Sequence, residues 1–270
     1  MRNRLLAVLL LIAPALGLRM WQDQILTERR QLKYGGAPVT REMRDQIGQG
    51  LAIALLAGFR GIAADFIWLR GQGFWEQRQW FKQSECIENS VKLQPQSMFF
   101  WDVGAWHMAW NISYAERTAT NNATIAEGIS RERLWHDRGR EFLERGLQNI
   151  PNRFDLYYKL GWIYYKRLAT DCGGDPDCQQ SRYRKAAEYF ITATTYQDAP
   201  DYIGRDAARC LEKAGDLPAA YQLWCKLWQE NDPQRNAYAR PIIQREICRV
   251  ENLLDIPVDV RIFPRKPVAL

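Results

Sequence analysis

Histidine is scarce: His107 and His136 are the only two in 270 residues. An imidazole-rich metal centre is therefore excluded, and acid–base chemistry would have to rest on one of these two or on carboxyls. The sequence also has no G-x-S-x-G, H-E-x-x-H or P-loop pattern, which removes the usual signatures of serine hydrolases, zincins and nucleotide-binding enzymes. The six cysteines include no C-x-x-C, so a zinc ribbon or a thioredoxin-type motif is not expected. No dense Lys/Arg run is interleaved with aromatics, and nucleic acid is not an expected partner. Alternating strand patterns are missing too. No metal and no cofactor is expected.

What the chain does have is aromatic surface, with 11 Trp and 12 Tyr. Such rings suit helix packing, and they also suit contact with peptides, glycans or a lipid interface. The net charge of +6 and a pI near 9.0 favour an anionic partner such as a bilayer surface.

The N-terminus reads as a targeting element. Arg2 and Arg4 precede an apolar stretch at residues 5–18. That stretch is shorter than the roughly 20 residues of a typical span. Residues 1–21 are expected to be a signal peptide, with cleavage near Ala15-Leu16-Gly17, or an uncleaved signal anchor. Either reading puts the bulk of the chain on the extracytoplasmic side, and the expected location is the cell membrane, single-pass or peripheral. Residues 22–49 read as a linker or helical segment.

The stretch GLAIALLAGFRGIAADFIWLRGQGFW begins at Gly50 like a second span, but Arg60 and Asp65 interrupt it. A lipid-facing charge near mid-bilayer costs about 2.5 to 3.5 kcal/mol on insertion scales, so a spanning helix seldom carries two. Five residues apart, they lie about 140° around a helix and cannot pair with each other. Both are expected to tie neighbouring helices together as buried polar groups, or else to contact a partner.

Cys172 and Cys178 bracket DCGGDPDC, a loop that two glycines and a proline make easy to close. An exported chain would oxidise this pair to a disulfide. Asp171, Asp175 and Asp177 lack the spacing of a calcium loop.

From residue 50 onward the chain reads as helix after helix. Proline-bearing polar turns recur at KLQPQS, QNIPNR, YQDAPDY and QENDPQ. In YYKLGWIY, Tyr157, Leu160, Gly161 and Tyr164 keep the spacing of W-x2-L-G-x2-Y, and Ala186 and Phe190 supply the A-x3-F element. Further on, Ala208, the Gly215-Asp216 turn, Ala220, Trp224 and Pro233 follow the same order. Gly104 and the series Gly139, Leu143, Gly146 and Pro151 form an earlier unit. A first unit would contain Gly71, Phe74, Trp80, Gln83, Ile87, Ser90 and Pro95. The chain thus resembles the tetratricopeptide-repeat proteins. GFRGIAAD-x-x-W, from Gly58, is similar to a segment of membrane-anchored bacterial helical-repeat proteins. The resemblance implies an all-α solenoid of helical hairpins over residues 50–254, in which small residues let paired helices approach and large ones fill the grooves. A capping helix is expected at residues 236–254 and an extended tail at 255–270.

Most of the tryptophans should be core between helices. His107, among Trp106, Met108 and Trp110, is expected to be a buried, satisfied histidine. His136 is expected on a solvated helix face, and the polar region 114–130 as an exposed insertion. The candidate partner-binding residues are Arg60, Asp65, Trp106, Trp110 and Trp162; no catalytic residue is assigned. The role expected is a non-enzymatic membrane-associated scaffold that binds protein partners in assembling an envelope complex. An envelope enzyme acting on glycan and a cytoplasmic repeat protein are the alternatives.

Overall fold

The computed structural model describes residues 58–231 and 237–263. The expectations for residues 1–21 and 22–49, and the apolar lead at 51–57, lie outside the described residues. All regular structure among the described residues is helical, with no strand. No described helix is long and apolar enough to cross a membrane. Two compact units divide the chain, Met1–Ser97 and Met98–Leu270.

In the first unit, α1 (Arg60–Glu76) and α2 (Trp80–Leu93) form an antiparallel hairpin. The buried side of α1 is made of Ala63, Ala64, Ile67 and Gly71. Three of these are small, so the two backbones lie close enough for the Ser90 hydroxyl to donate to the Ala64 carbonyl at 3.2 Å. A Cβ on Gly71 would stand 3.1 Å from that of Cys86. Gln83, Ile87 and Ser90 are buried from the α2 side. The hairpin corrects one expectation: Asp65 is exposed and ties no helices together. It lies outside the small-residue face that α2 covers.

The second unit starts with a rod in three parts, α3 (Met98–Trp106), π turns over His107–Ile112, and α4 (Ser113–Arg117). Packed antiparallel on it is α5 (Ile125–Asn149), with the Trp101 ring 4.7 Å from that of Phe142. The region 114–130 is largely exposed, as its polarity suggests, but helix occupies both of its ends. Thr124 caps α5 by accepting from the Glu127 N–H at 3.1 Å, and Glu127 returns to the Ala123 N–H at 2.8 Å. This T-x-x-E box, with ion pairs from Arg117 to Glu132 and Arg131 to Glu116, fixes the turn.

Next come α6 (Phe154–Ile163), extended by π turns at Tyr164–Leu168, and α7 (Pro176–Thr194). Their closest approach is at Gly161, where a Cβ would meet the Phe190 ring at 2.5 Å. Then α8 (Tyr202–Lys213) pairs with α9 (Leu217–Glu230) through the turn at Gly215, whose φ is +78°. Asp216 caps α9 by accepting from the Ala219 N–H. The last helix, α10 (Ala239–Leu253), packs Ile243, Ile247 and Val250 with Trp224 and Ala208.

The C-terminal segment also departs from expectation. It does not run extended from residue 255, but turns through a 3₁₀ element at Val258–Val260 and returns to α9 and α10. The wholly buried carboxylate of Glu251 accepts from the Ile262 N–H at 2.9 Å and the Tyr221 hydroxyl at 3.1 Å. Phe263 stands edge-on to Trp228, over which Arg240 is stacked at 3.8 Å. Residues 264–270 lie outside the described residues.

Candidate binding face

Within the second unit, α3 and α6 both pack on α5, and α6 and α8 both pack on α7. Three side-chain links join them. Lys159 of α6 meets Asp102 of α3 at 3.0 Å, Arg167 lies over the Trp110 ring at 5.1 Å, and Tyr158 meets Tyr202 of α8 edge-on at 5.8 Å. Trp106 and Trp110 are brought together on one side of α6, Trp162 lies on α6 itself among Tyr158, Tyr165 and Phe190, and Arg60 and Asp65 belong to the first unit.

Two helices loosen together beside this face. Both α3 and α6 continue into π turns, at His107–Ile112 and Tyr164–Leu168, and Arg167 and Trp110 meet between them. A π turn holds one more residue per hydrogen-bonded ring than an α turn, which re-aims the side chains that follow; such turns recur at functional sites. Trp106 and Trp110 stack with ring centroids 4.8 Å apart and planes 9° apart, and Trp106 remains exposed. On α6, Lys166 covers Tyr165 at 4.3 Å and Trp162 at 5.5 Å.

Burial sets the charge states here. It lowers the proton affinity of the Arg167 guanidinium, an effect that the carboxylates of Glu132 and Asp171 oppose. His107, 3.3 Å from the Asn111 amide, is partly rather than fully buried, and desolvation lowers its pKa. The Tyr158 phenol is pushed up to about 12, chiefly by burial. Asp206 of α8 is a carboxyl whose pKa burial raises. Arg209 at 3.4 Å, with Arg205 and Lys166, opposes that rise. Asp206 thus serves as a tie among cations and is not set apart as a lone acid.

His136 overturns its expectation. It is 1% exposed, not solvated, and its Nδ1 lies 2.9 Å from the Asp171 carboxylate. Asp171 leads into the bonded pair Cys172–Cys178, and Asp175 caps α7 by accepting from the N–H groups of Asp177 and Cys178. Two of the three loop aspartates are therefore committed to α5 and α7. No cluster of metal-ligating side chains occurs among the described residues.

Two concavities contain none of Trp106, Trp110 and Trp162. One, of about 150 Å³, has Gly204, Leu227, Glu230 and Ile243 in its wall. The other is an open trough of about 300 Å³ along α7, beside Arg182, Arg184 and Lys185. The first is smaller than the 300–1,000 Å³ of typical ligand sites, and the second is shallow and charged. Sequence reasoning found the tryptophans but missed Arg167 and Lys166, whose part in the face depends on the π turns. No family model matches the chain, and no curated protein matches it.

Proposed function

We propose that the chain is a tetratricopeptide-like, non-enzymatic scaffold, held at a membrane through residues 1–21, that docks a protein segment on the α3–α6–α8 face in assembling an envelope complex. The observation that carries this is the set of side-chain links from α3 through α6 to α8, beside which stand Trp106, Trp110, Trp162, Lys166 and Arg167. The repeat reading is supported by register. Gly71, Gly139, Gly146 and Gly161 each stand at a close helix–helix approach, and Ala186, Phe190, Ala208, Ala220 and Trp224 are wholly buried. Stacked hairpins offer an extended face without a deep cleft, which suits binding more than chemistry.

The face is cationic as well as aromatic. Lys159, Lys166, Arg167, Arg205, Arg209 and Lys213 outnumber the carboxylates of Asp102, Glu132, Asp171 and Asp206, so the segment expected there is acidic with apolar or aromatic side chains. The test is capture of acidic peptides by the detergent-extracted full chain, compared with Trp106→Ala and Lys166→Glu. Each substitution should weaken capture by about tenfold, and salt should weaken it further for the wild type than for Lys166→Glu. Capture indifferent to both changes, or a membrane extract holding only a partner-free species, would defeat the reading.

A further inference from the structure

Asp171 stands directly before Cys172 and connects several groups. Both of its carboxylate oxygens lie within hydrogen-bond reach of His136 Nδ1 on α5, at 2.9 and 3.1 Å. Arg133 Nε of the same helix is 3.9 Å away. Together with Glu132, Asp171 also acts on the Arg167 guanidinium, which lies over the Trp110 ring. Asp171 thus offsets part of the positive charge of the binding face.

The turn that carries Asp171 is short. It is a 3₁₀ turn of three residues, Thr170–Cys172, followed by Gly173 and Gly174 with φ of +65° and +93°. Across the loop, Cys172 is tied by its bond to Cys178 and by one turn hydrogen bond, from the Asp175 N–H to the Cys172 carbonyl at 3.1 Å. Residues 173–177 are exposed and both cysteines are partly so, which leaves the bond open to attack by a thiolate.

We propose that the Cys172–Cys178 bond is a redox latch on the cationic face. Oxidised, it holds Asp171 against His136 and beside Arg167; its reduction frees Asp171 and strengthens capture of an acidic segment. This deepens the reading of the face as a receptor for such a segment and rests on it. The reductant is a dithiol. Its first thiolate attacks one sulfur to give a mixed disulfide, and its second displaces the remaining protein thiolate. Two electrons and two protons thereby pass to Cys172 and Cys178 as the dithiol closes to a disulfide. Opening the loop returns backbone freedom to the residues between the cysteines, so the turn carrying Asp171 is held less firmly. His136, 1% exposed, then has Glu132 as its nearest carboxylate, 4.0 Å from Nε2. Once Asp171 moves into solvent its charge is screened, and Asp102, Glu132 and Asp206 alone face the cations.

The experiment compares the detergent-extracted full chain, oxidised and after treatment with dithiothreitol. Binding of a labelled peptide of alternating Glu and Phe is read by fluorescence anisotropy. Reduction should tighten binding about threefold, the scale of one partly exposed charge interaction. Asp171→Asn should tighten binding as much in the oxidised chain, and reduction should then add nothing. In nitrogen-15 spectra of the imidazoles, the His136 signal, assigned with His107→Gln, should shift on reduction of the wild type. A His136 signal unmoved by reduction, equal binding by the two forms, or a redox effect that persists in Asp171→Asn would overturn the latch and leave the receptor reading standing. Absence of binding by both forms would overturn both.

Discussion

Gly161→Ala tests the closest approach in the second unit. In an open helix this change stabilises by about 1 kcal/mol, because alanine loses less backbone entropy. At position 161 the new methyl would lie 2.5, 2.6 and 2.9 Å from three atoms of the Phe190 ring. Phe190 is wholly buried and held among Tyr158 and Trp162, so the ring cannot swing away cheaply. The α6 and α7 backbones must therefore separate. Overpacking of this kind costs about 1–3 kcal/mol beyond the propensity gain. A net loss of about 1–2 kcal/mol is expected, or several degrees in Tm for a unit of this size. Gly73→Ala is the matched control, since a Cβ there meets nothing within 4 Å. It should stabilise the first unit by up to about 1 kcal/mol. Urea unfolding followed by circular dichroism measures both, and Gly161→Ala combined with Phe190→Leu should recover part of the loss. If Gly161→Ala proved as stabilising as Gly73→Ala, or if the double variant were strictly additive, the helices would not be packed as described.

Further outcomes follow from the same contacts. Replacing Cys172 and Cys178 by Ser opens a short loop and should cost about 2 kcal/mol by loop-closure entropy; an unchanged melting temperature would show that the His136–Asp171 contact holds the loop alone. His107 has a folded pKa below its unfolded value, so the unfolded chain binds the extra proton first. Stability should accordingly be complete above about pH 6.5 and fall as pH drops below it. His107→Gln should flatten that part of a pH–Tm profile, and an unaltered profile would refute the assignment.

Much of the helical order was readable because small residues at fixed spacing have one physical use, which is to let backbones approach. Gly71, Gly161 and Ala208 carried that signal. The bonded pair in the DCGGDPDC loop was readable from the short spacing, the two glycines and proline, and the expectation of export. His136 was not, since its neighbours in RLWHDRGREF are polar and its partner, Asp171, lies 35 residues away. The π turns left no local mark either: an extra residue in a helix resembles any other helical residue until the partner helix is in place. Their effect on Trp110 and Arg167 was therefore hidden, and with it the cationic half of the candidate site. Asp65 was misjudged because charge in an apolar run suggests burial, whereas this helix simply leaves that side open.

The returning C-terminal segment has a consequence for assembly. A row of packed helices ends in an apolar surface on which another copy can add, and repeated addition gives a filament. Here α10 occupies that surface, and Glu251 fastens the segment up to Phe263 over its junction with α9. Gln244, Arg245 and Arg249 are exposed on α10. Another copy could reach the surface that α10 covers only after α10 and this segment had moved, so assembly through it would be coupled to their release.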